Sequence, residues 1–224
     1  MAGIYDTSAL CLAALRRYIR EPSATTGSWP QDADLYAMLT DAENAVKQDL
    51  APRIPHVLLQ QTQLTSSDGG YTYTFGTDSE GNRIYPLGQA EVFSTPSDVP
   101  YYPLRPYEDF VPEGNQIRIP NNSPRTFPST GPVARFVPMT LKIDGSTNPT
   151  LQPMQARELV VIEAARRYGI ASKQTELVAL AQADYQTALM RLLTGFQTQY
   201  STAGMVGVRS HPWRRGGNRW WGRR

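Results

Sequence analysis

Eleven of the eighteen prolines stand between Pro86 and Pro138, and this crowding limits the fold more than any other feature of the chain. A proline nitrogen cannot donate to a β-ladder and its ring breaks a helix, so the stretch has to be built from loops, edge strands and extended arms. Long helices belong elsewhere. Tyr101, Tyr102, Tyr107, Phe110 and Phe127 lie among these prolines. Aromatic rings on long loops either cover the domain that carries them or lie on a neighbouring subunit, and the second use makes these five candidate contacts.

Helical patterns flank the proline-rich stretch. After Asp6-Thr7-Ser8, which can cap, Leu12, Leu15, Tyr18 and Ile19 recur at helical spacing until Glu21-Pro22. Ser28 with Gln31 resembles a capping box, and Asp32 and Asp34 suit the first turn of a second helix. Its stripe is Leu35, Met38, Leu39, Ala42, Ala45, Val46 and Leu50, ended by Pro52. Asn148 or Thr150 can cap a third helix running to Gly169, a candidate C-terminal glycine, and Ser172 opens a fourth that stops before Gly195.

Between them the period falls to two. Tyr71, Tyr73 and Phe75 alternate with threonines, and the turn-rich residues 76–82 predict a hairpin back through Ile84-Tyr85. Further strands are expected at Ala90 to Phe93, Gln116 to Ile119 and Val133 to Ile143. The expectation is an α+β fold: a helical body of about four helices, a β-rich, proline-rich insertion and an extended basic C-terminal tail. The divisions are 1–52 for the N-terminal helices, 53–147 for the insertion, 148–200 for a helical hairpin and 201–224 for the tail.

With 224 residues, 40% hydrophobic and 19% charged, the chain can bury a core in one domain or two small ones. The lone Cys11 closes no intrachain disulfide, which suits a reducing compartment. No apolar run approaches the ~20 residues of a membrane helix, and Met1 to Leu15 lacks the basic start of a signal or transit peptide. The expectation is a soluble, non-secreted chain without membrane contact.

Residue types for chemistry are sparse. His56 and His211 are the only histidines, far apart, so Cys/His metal spacing and a histidine-activated nucleophile have no support. Glu108-Asp109 and Asp32-Asp34 are paired carboxylates that a loop and a helix first turn explain; a carbohydrate-directed enzyme using Glu108 with Asp109 has only composition in its favour. Asp78 to Asn82 departs from a calcium-loop pattern and reads as a turn. Gly216-Gly217 lacks a phosphate-loop lysine. The expectation is a non-enzymatic protein with no catalytic residue, cofactor or metal.

The C-terminus rises above this background. Arg209, Arg214, Arg215, Arg219, Arg223 and Arg224 occur with no acid among residues 209–224, and removing these six charges from the net +2 leaves −4 on the rest. Three of the four tryptophans, Trp213, Trp220 and Trp221, sit with them. Glycines and a proline interrupt any helix here, so the segment is expected to be disordered in the free subunit. Three uses compete: a solvated cationic tail, a nucleic-acid clamp in which arginines meet phosphates and tryptophans stack on bases, and a peptide that orders on docking into an acidic, partly apolar groove of a protein. Three indoles left in water argue against the first, and no groove-reading helix or stacking sheet accompanies the second, which favours the third.

The order of parts resembles the head-to-tail adaptor, or head completion, proteins of tailed bacteriophages. The resemblance is carried by the helix holding Asp32-Ala33-Asp34-Leu35-Tyr36-Ala37-Met38-Leu39, the β-rich middle, the stretch Ala156-Arg157-Glu158-Leu159-Val160-Val161-Ile162-Glu163-Ala164-Ala165-Arg166-Arg167-Tyr168-Gly169, a further helix and a basic tail. It spans nearly the whole chain as texture, without a diagnostic motif, and the 86–138 insertion exceeds that of smaller adaptors. The resemblance implies a virion protein assembled in the host cytoplasm: a homo-oligomeric ring, usually of twelve copies, beneath the portal protein. Tail or nozzle proteins sit on the other face, and duplex DNA passes through the lumen without specific binding. Arg209, Trp213, Arg214, Arg215, Arg219, Trp220, Trp221, Arg223 and Arg224 would then be the portal-docking tail, and Tyr101, Tyr102, Tyr107, Phe110 and Phe127 would touch other subunits or tail components. The alternative is a nucleic-acid-binding accessory protein that clamps a strand with the same Arg/Trp tail.

Overall fold

The computed structural model describes residues 5–21, 29–66, 71–78, 81–94, 102–120 and 131–202. Over these the chain is α+β, with four long helices and two antiparallel sheets.

Helix α1 spans Ser8–Ile19, with Thr7 as its N-cap accepting the Leu10 amide. A second cap comes from far away: the Asn148 side chain accepts the Ser8 N–H at 2.9 Å. Asn148 thus begins α1 rather than the helix that follows it. Helix α2 spans Asp32–Leu50, and its start is fixed by Asp34, whose carboxylate accepts the Gln31 amide at 2.9 Å. The N-cap is therefore Gln31; Ser28 lies outside the described residues. A one-turn helix α3, Pro55–Leu58, holds His56 where the sequence suggests a strand or turn.

Strands β1 (Gln60–Gln63), β2 (Thr65–Ser66), β3 (Thr72–Thr74), β4 (Glu91–Ser94), β5 (Tyr102–Leu104), β6 (Val111–Glu113), β7 (Gln116–Arg118) and β8 (Val133–Phe136) follow. They form sheets ordered β1-β8-β4-β5 and β2-β3-β7-β6. The two sheets close on one apolar core of Leu64, Tyr73, Phe75, Val92, Leu104, Phe110, Ile117, Ile119, Ala134 and Phe136. Phe75 and Phe136 meet edge to face at 4.9 Å between ring centres. Thr72–Thr74 pairs with β2 and β7 instead of Ile84-Tyr85; the Ile84 N–H donates to the Gly76 carbonyl, and Thr77 and Arg83 form a bridge.

The chain passes from one sheet to the other at Leu64, whose N–H donates to the Pro132 carbonyl at 2.9 Å. Gly131 makes that passage possible. Its φ is +74°, and a Cβ there would fall 2.4 Å from the Leu64 carbonyl oxygen and 3.0 Å from the Tyr73 ring.

The strand expected over Val133 to Ile143 stops at Phe136; residues 137–139 pair instead with residues 85–87, the Leu87 N–H donating to the Val137 carbonyl at 2.7 Å and the Met139 N–H to the Tyr85 carbonyl at 2.9 Å, and from Thr140 side chains of α2 take over the backbone partners. The Asn44 side chain accepts the Thr140 N–H and donates to the Thr140 carbonyl, both at 2.8 Å, and Thr40 Oγ1 accepts the Ile143 N–H. An amide side chain here does the work of a neighbouring strand.

A 3-10 turn at Met154–Ala156 leads into α4, Arg157–Ala171, and then α5, Thr175–Thr202. Helix α4 is buried on nearly every side, from Leu159 through Ala165 to Tyr168, because α1, α2 and α5 all pack on it. Gly169 does not end α4. It lets α5 approach, since a Cβ there would lie 3.0 Å from Val178 Cγ2 and 3.3 Å from the Val178 nitrogen. Ser172 is the C-cap of α4 instead of the start of α5, and α5 continues through Gly195. Its 28 residues make a rod of about 42 Å.

Candidate interaction site

Helix α5 carries the chain to Thr202, with six residues intervening before the Arg/Trp-rich segment that starts at Arg209. It packs along α4 and is tied on both flanks. On one side Tyr18 of α1 donates its hydroxyl to Asp184 at 2.5 Å, and on the other Tyr185 donates to Asp49 of α2 at 2.9 Å. Burial, then the bond to the carboxylate, pushes both phenols above their ordinary range, so at neutral pH each is a firm donor. Toward its end Leu192, Leu193 and Phe196 rest on the bundle core. Helix α5 is therefore held by apolar contact and by two tyrosine–carboxylate bonds.

Beside these bonds lie two shallow hollows. The one between α2 and α5, about 370 Å³, is lined by Asp49, Glu163, Arg166, Gln182, Tyr185 and Gln186. Its charges are already engaged: Glu163 accepts from Arg166 through both oxygens at 2.7 Å and from Arg167 at 3.1 Å. The other, between α1 and α5, has Val161 and Ile162 on its floor and the Glu158–Arg191 pair at 3.6 Å on its rim.

Sequence reasoning missed a second site, the polar seam that joins the bundle to the chain leaving the sandwich. Glu43 and Lys47, one turn apart on α2, are both fully buried and lie 3.3 Å apart. Lys47 Nζ donates to Thr140 Oγ1 at 2.6 Å, Thr150 Oγ1 at 2.8 Å and the Pro138 carbonyl at 3.1 Å. Glu43 Oε1 accepts the Thr150 N–H and hydroxyl, at 2.9 and 2.8 Å. Burial pulls the Lys47 ammonium below its usual range, a fall that Glu43 opposes. The sequence signal was an i,i+4 Glu/Lys pair, which normally marks a solvated helix face. Arg157 is buried as well, donating to the carbonyls of Leu151, Tyr5 and Asp6 and so fastening the start of the chain to α4.

The aromatic residues of the proline-rich stretch separate. Tyr107 is 77% exposed, at φ +65°, with its N–H bonded to the Phe110 carbonyl. Phe110, by contrast, is 2% exposed and belongs to the sandwich core, so its ring is not available to another subunit. The alternation of the turn sends one ring out and the other in. Tyr102 sits in β5; Tyr101 and Phe127 lie outside the described residues. So do Arg209, Trp213, Arg214, Arg215, Arg219, Trp220, Trp221, Arg223 and Arg224.

The remaining candidates for chemistry are bound up locally. Glu108 pairs with Arg105 at 3.1 Å while Asp109 accepts the Arg105 N–H, so the two carboxylates serve one turn and do not face each other across a cleft. Asp78 accepts from Asn82 through backbone and side chain, as a turn would. Burial pushes the Cys11 thiol up to about 11, far from a reactive thiolate. Among the described residues no three His, Cys, Asp or Glu side chains converge on a metal position, and no helix is long and apolar enough to cross a membrane. Compared with known protein families and with curated protein sequences, the chain has no match in either.

Proposed function

We propose that this protein is a structural connector of a tailed-bacteriophage virion, a head-to-tail adaptor that joins the portal to the tail and forms part of the DNA conduit. The observation that carries the reading is the continuation of α5, unbroken through Gly195 to Thr202, with six residues intervening before Arg209, where the Arg/Trp-rich segment begins. A rod fixed on two flanks by Tyr18–Asp184 and Tyr185–Asp49 presents a docking peptide from a firm base. In a homo-oligomeric ring of about twelve copies, modest peptide affinities multiply, because once one tail is bound the others are held at high local concentration. The β-sandwich, with a core of its own and the exposed Tyr107, supplies the face toward tail or nozzle proteins. A body carrying −4 without its tail gives duplex DNA little to adhere to.

The test removes residues 209–224 from the full chain. The shortened protein is expected to keep its circular dichroism and melting profile while losing co-sedimentation with portal rings, and the intact protein is expected to show no retention of duplex DNA at moderate salt. Undiminished portal binding by the shortened chain overturns the connector reading. A loss confined to DNA retention favours the nucleic-acid-binding accessory protein.

A further inference from the structure

The hollow between α1 and α5 brings an apolar floor and an accessible carboxylate together. Val161, Ile162 and Ala188 are buried beneath it, Tyr5 and Tyr18 wall it, and its volume is about 280 Å³. Pockets for drug-sized ligands begin near ~300 Å³, so this one suits a single large side chain. Glu158 stands on its rim, its side chain 35% exposed, and Arg191, the cation paired with it, is 3.6 Å away, beyond hydrogen-bond reach. Among the described residues no donor bonds the Glu158 carboxylate. Its charge is felt inside the hollow: burial, then Glu158, raises the Tyr5 phenol above its ordinary range.

The neighbouring hollows are less suited to a cationic guest. Between α2 and α5, Glu163 already holds three bonds from Arg166 and Arg167. Where the end of α1 meets the start of α5, Arg20 and Lys173 line the surface against Glu176 alone, and a positive segment would be repelled.

The chain carries a guest of matching chemistry. Twenty-two residues follow Thr202, with six arginines, three tryptophans and no acid, and they bring six positive charges to a remainder of −4. Ala188 lies fourteen residues back along α5, about 21 Å from Thr202. Trp213 lies eleven residues beyond Thr202, an extended reach of about 36 Å, so it can return to the hollow with slack. We infer that in the free subunit Trp213 of the same chain seats in this hollow, with Arg215, on the same side of an extended backbone, pairing to Glu158. Trp220 and Trp221 have longer tethers and so a lower local concentration at the hollow. A short tether supplies a concentration on the order of millimolar, so a contact of millimolar intrinsic affinity is made in about half of the molecules. The tail is thereby held against the body until a tighter socket takes it. This contact belongs to the free subunit and does not rest on the connector reading: a chain that parks Trp213 and never binds a portal would sink that reading and leave this one.

Fluorine NMR of the full chain labelled with 5-fluorotryptophan tests it, with Trp213→Phe assigning the Trp213 signal. The wild type is expected to show at Trp213 about half the solvent-isotope shift of the same chain unfolded in urea, unchanged from micromolar to millimolar protein. Thr187→Arg, at an exposed position lining the hollow, sets a cation in the way and should restore the full shift. Glu158→Gln should restore most of it and remove its dependence on salt. A Trp213 signal as open to solvent as in the unfolded chain overturns the proposal. So does protection that persists in Thr187→Arg, or protection that grows with protein concentration, which places the indole on a second copy. Should Thr187→Arg disturb the bundle, Glu158→Gln and the salt dependence decide.

Discussion

The bundle and the sandwich are held together by different physics. Among the described residues the bundle encloses five buried charged side chains, Arg16, Glu43, Lys47, Arg157 and Glu163, each engaged by specific partners. The sandwich has an apolar core with no charged member, wrapped by strands of two to four residues. Long helices leave room between their contacts for a polar side chain to reach backbone groups of a passing segment. Short strands satisfy their own backbone and depend on ring packing and on Gly131. Damage to the bundle should therefore act through unpaired charge, and damage to the sandwich through lost volume.

The largest effect is expected at Lys47. Lys47→Ala leaves Glu43 buried without its counter-charge and should cost about 3–5 kcal/mol in urea unfolding. The double replacement Glu43→Gln with Lys47→Met should cost markedly less, which separates a charge penalty from a packing one. If the two cost the same, the contrast drawn above between the regions is wrong. In the sandwich, Ile117→Ala should cost about 2–5 kcal/mol, and no compensating partner change should exist, because a cavity is what remains.

A smaller effect, about 1 kcal/mol, is expected for Tyr185→Phe, which removes the bond to Asp49 at a half-buried position. The pH dependence sharpens it. The folded-state pKa of Tyr185 is raised by burial and by Asp49, so the unfolded chain releases its proton first as pH rises above about 10. The stabilisation is present below that pH and declines above it. Denaturation curves at rising alkaline pH should therefore converge for wild type and Tyr185→Phe; parallel curves would deny the phenol this role.

Much of the helical half is legible from periodicity. The inward stripe of α2 holds Leu35, Leu39, Ala42, Val46 and Leu50 as read, and Thr7 caps α1. The misreadings have local causes. Gly169 and Gly195 look like terminators because glycine often ends a helix, yet one is a contact point for α5 and the other lies in a rod whose packing outweighs its low propensity. The Val133 to Ile143 alternation looks like one strand because its inward residues keep their period after the partner changes from β4 and β1 to the backbone of residues 85–87 and then to the side chains of α2. Nothing in that alternation reveals the change. Phe110 and Tyr107 could not be told apart either, since a three-residue turn decides which ring enters the core. The Glu43–Lys47 pair was hidden by its ordinary spacing, and only the threonines at 140 and 150, remote in sequence, make it a junction.

Asp184 and Tyr185 are consecutive, so they leave α5 about 100° apart and reach opposite neighbours, Tyr18 on α1 and Asp49 on α2. Rolling the helix about its own axis in either direction stretches one of these bonds while crowding the other. A pull delivered at the C-terminal end of α5 would thus meet a rod that resists torque, and would pass into the bundle as tension along its length.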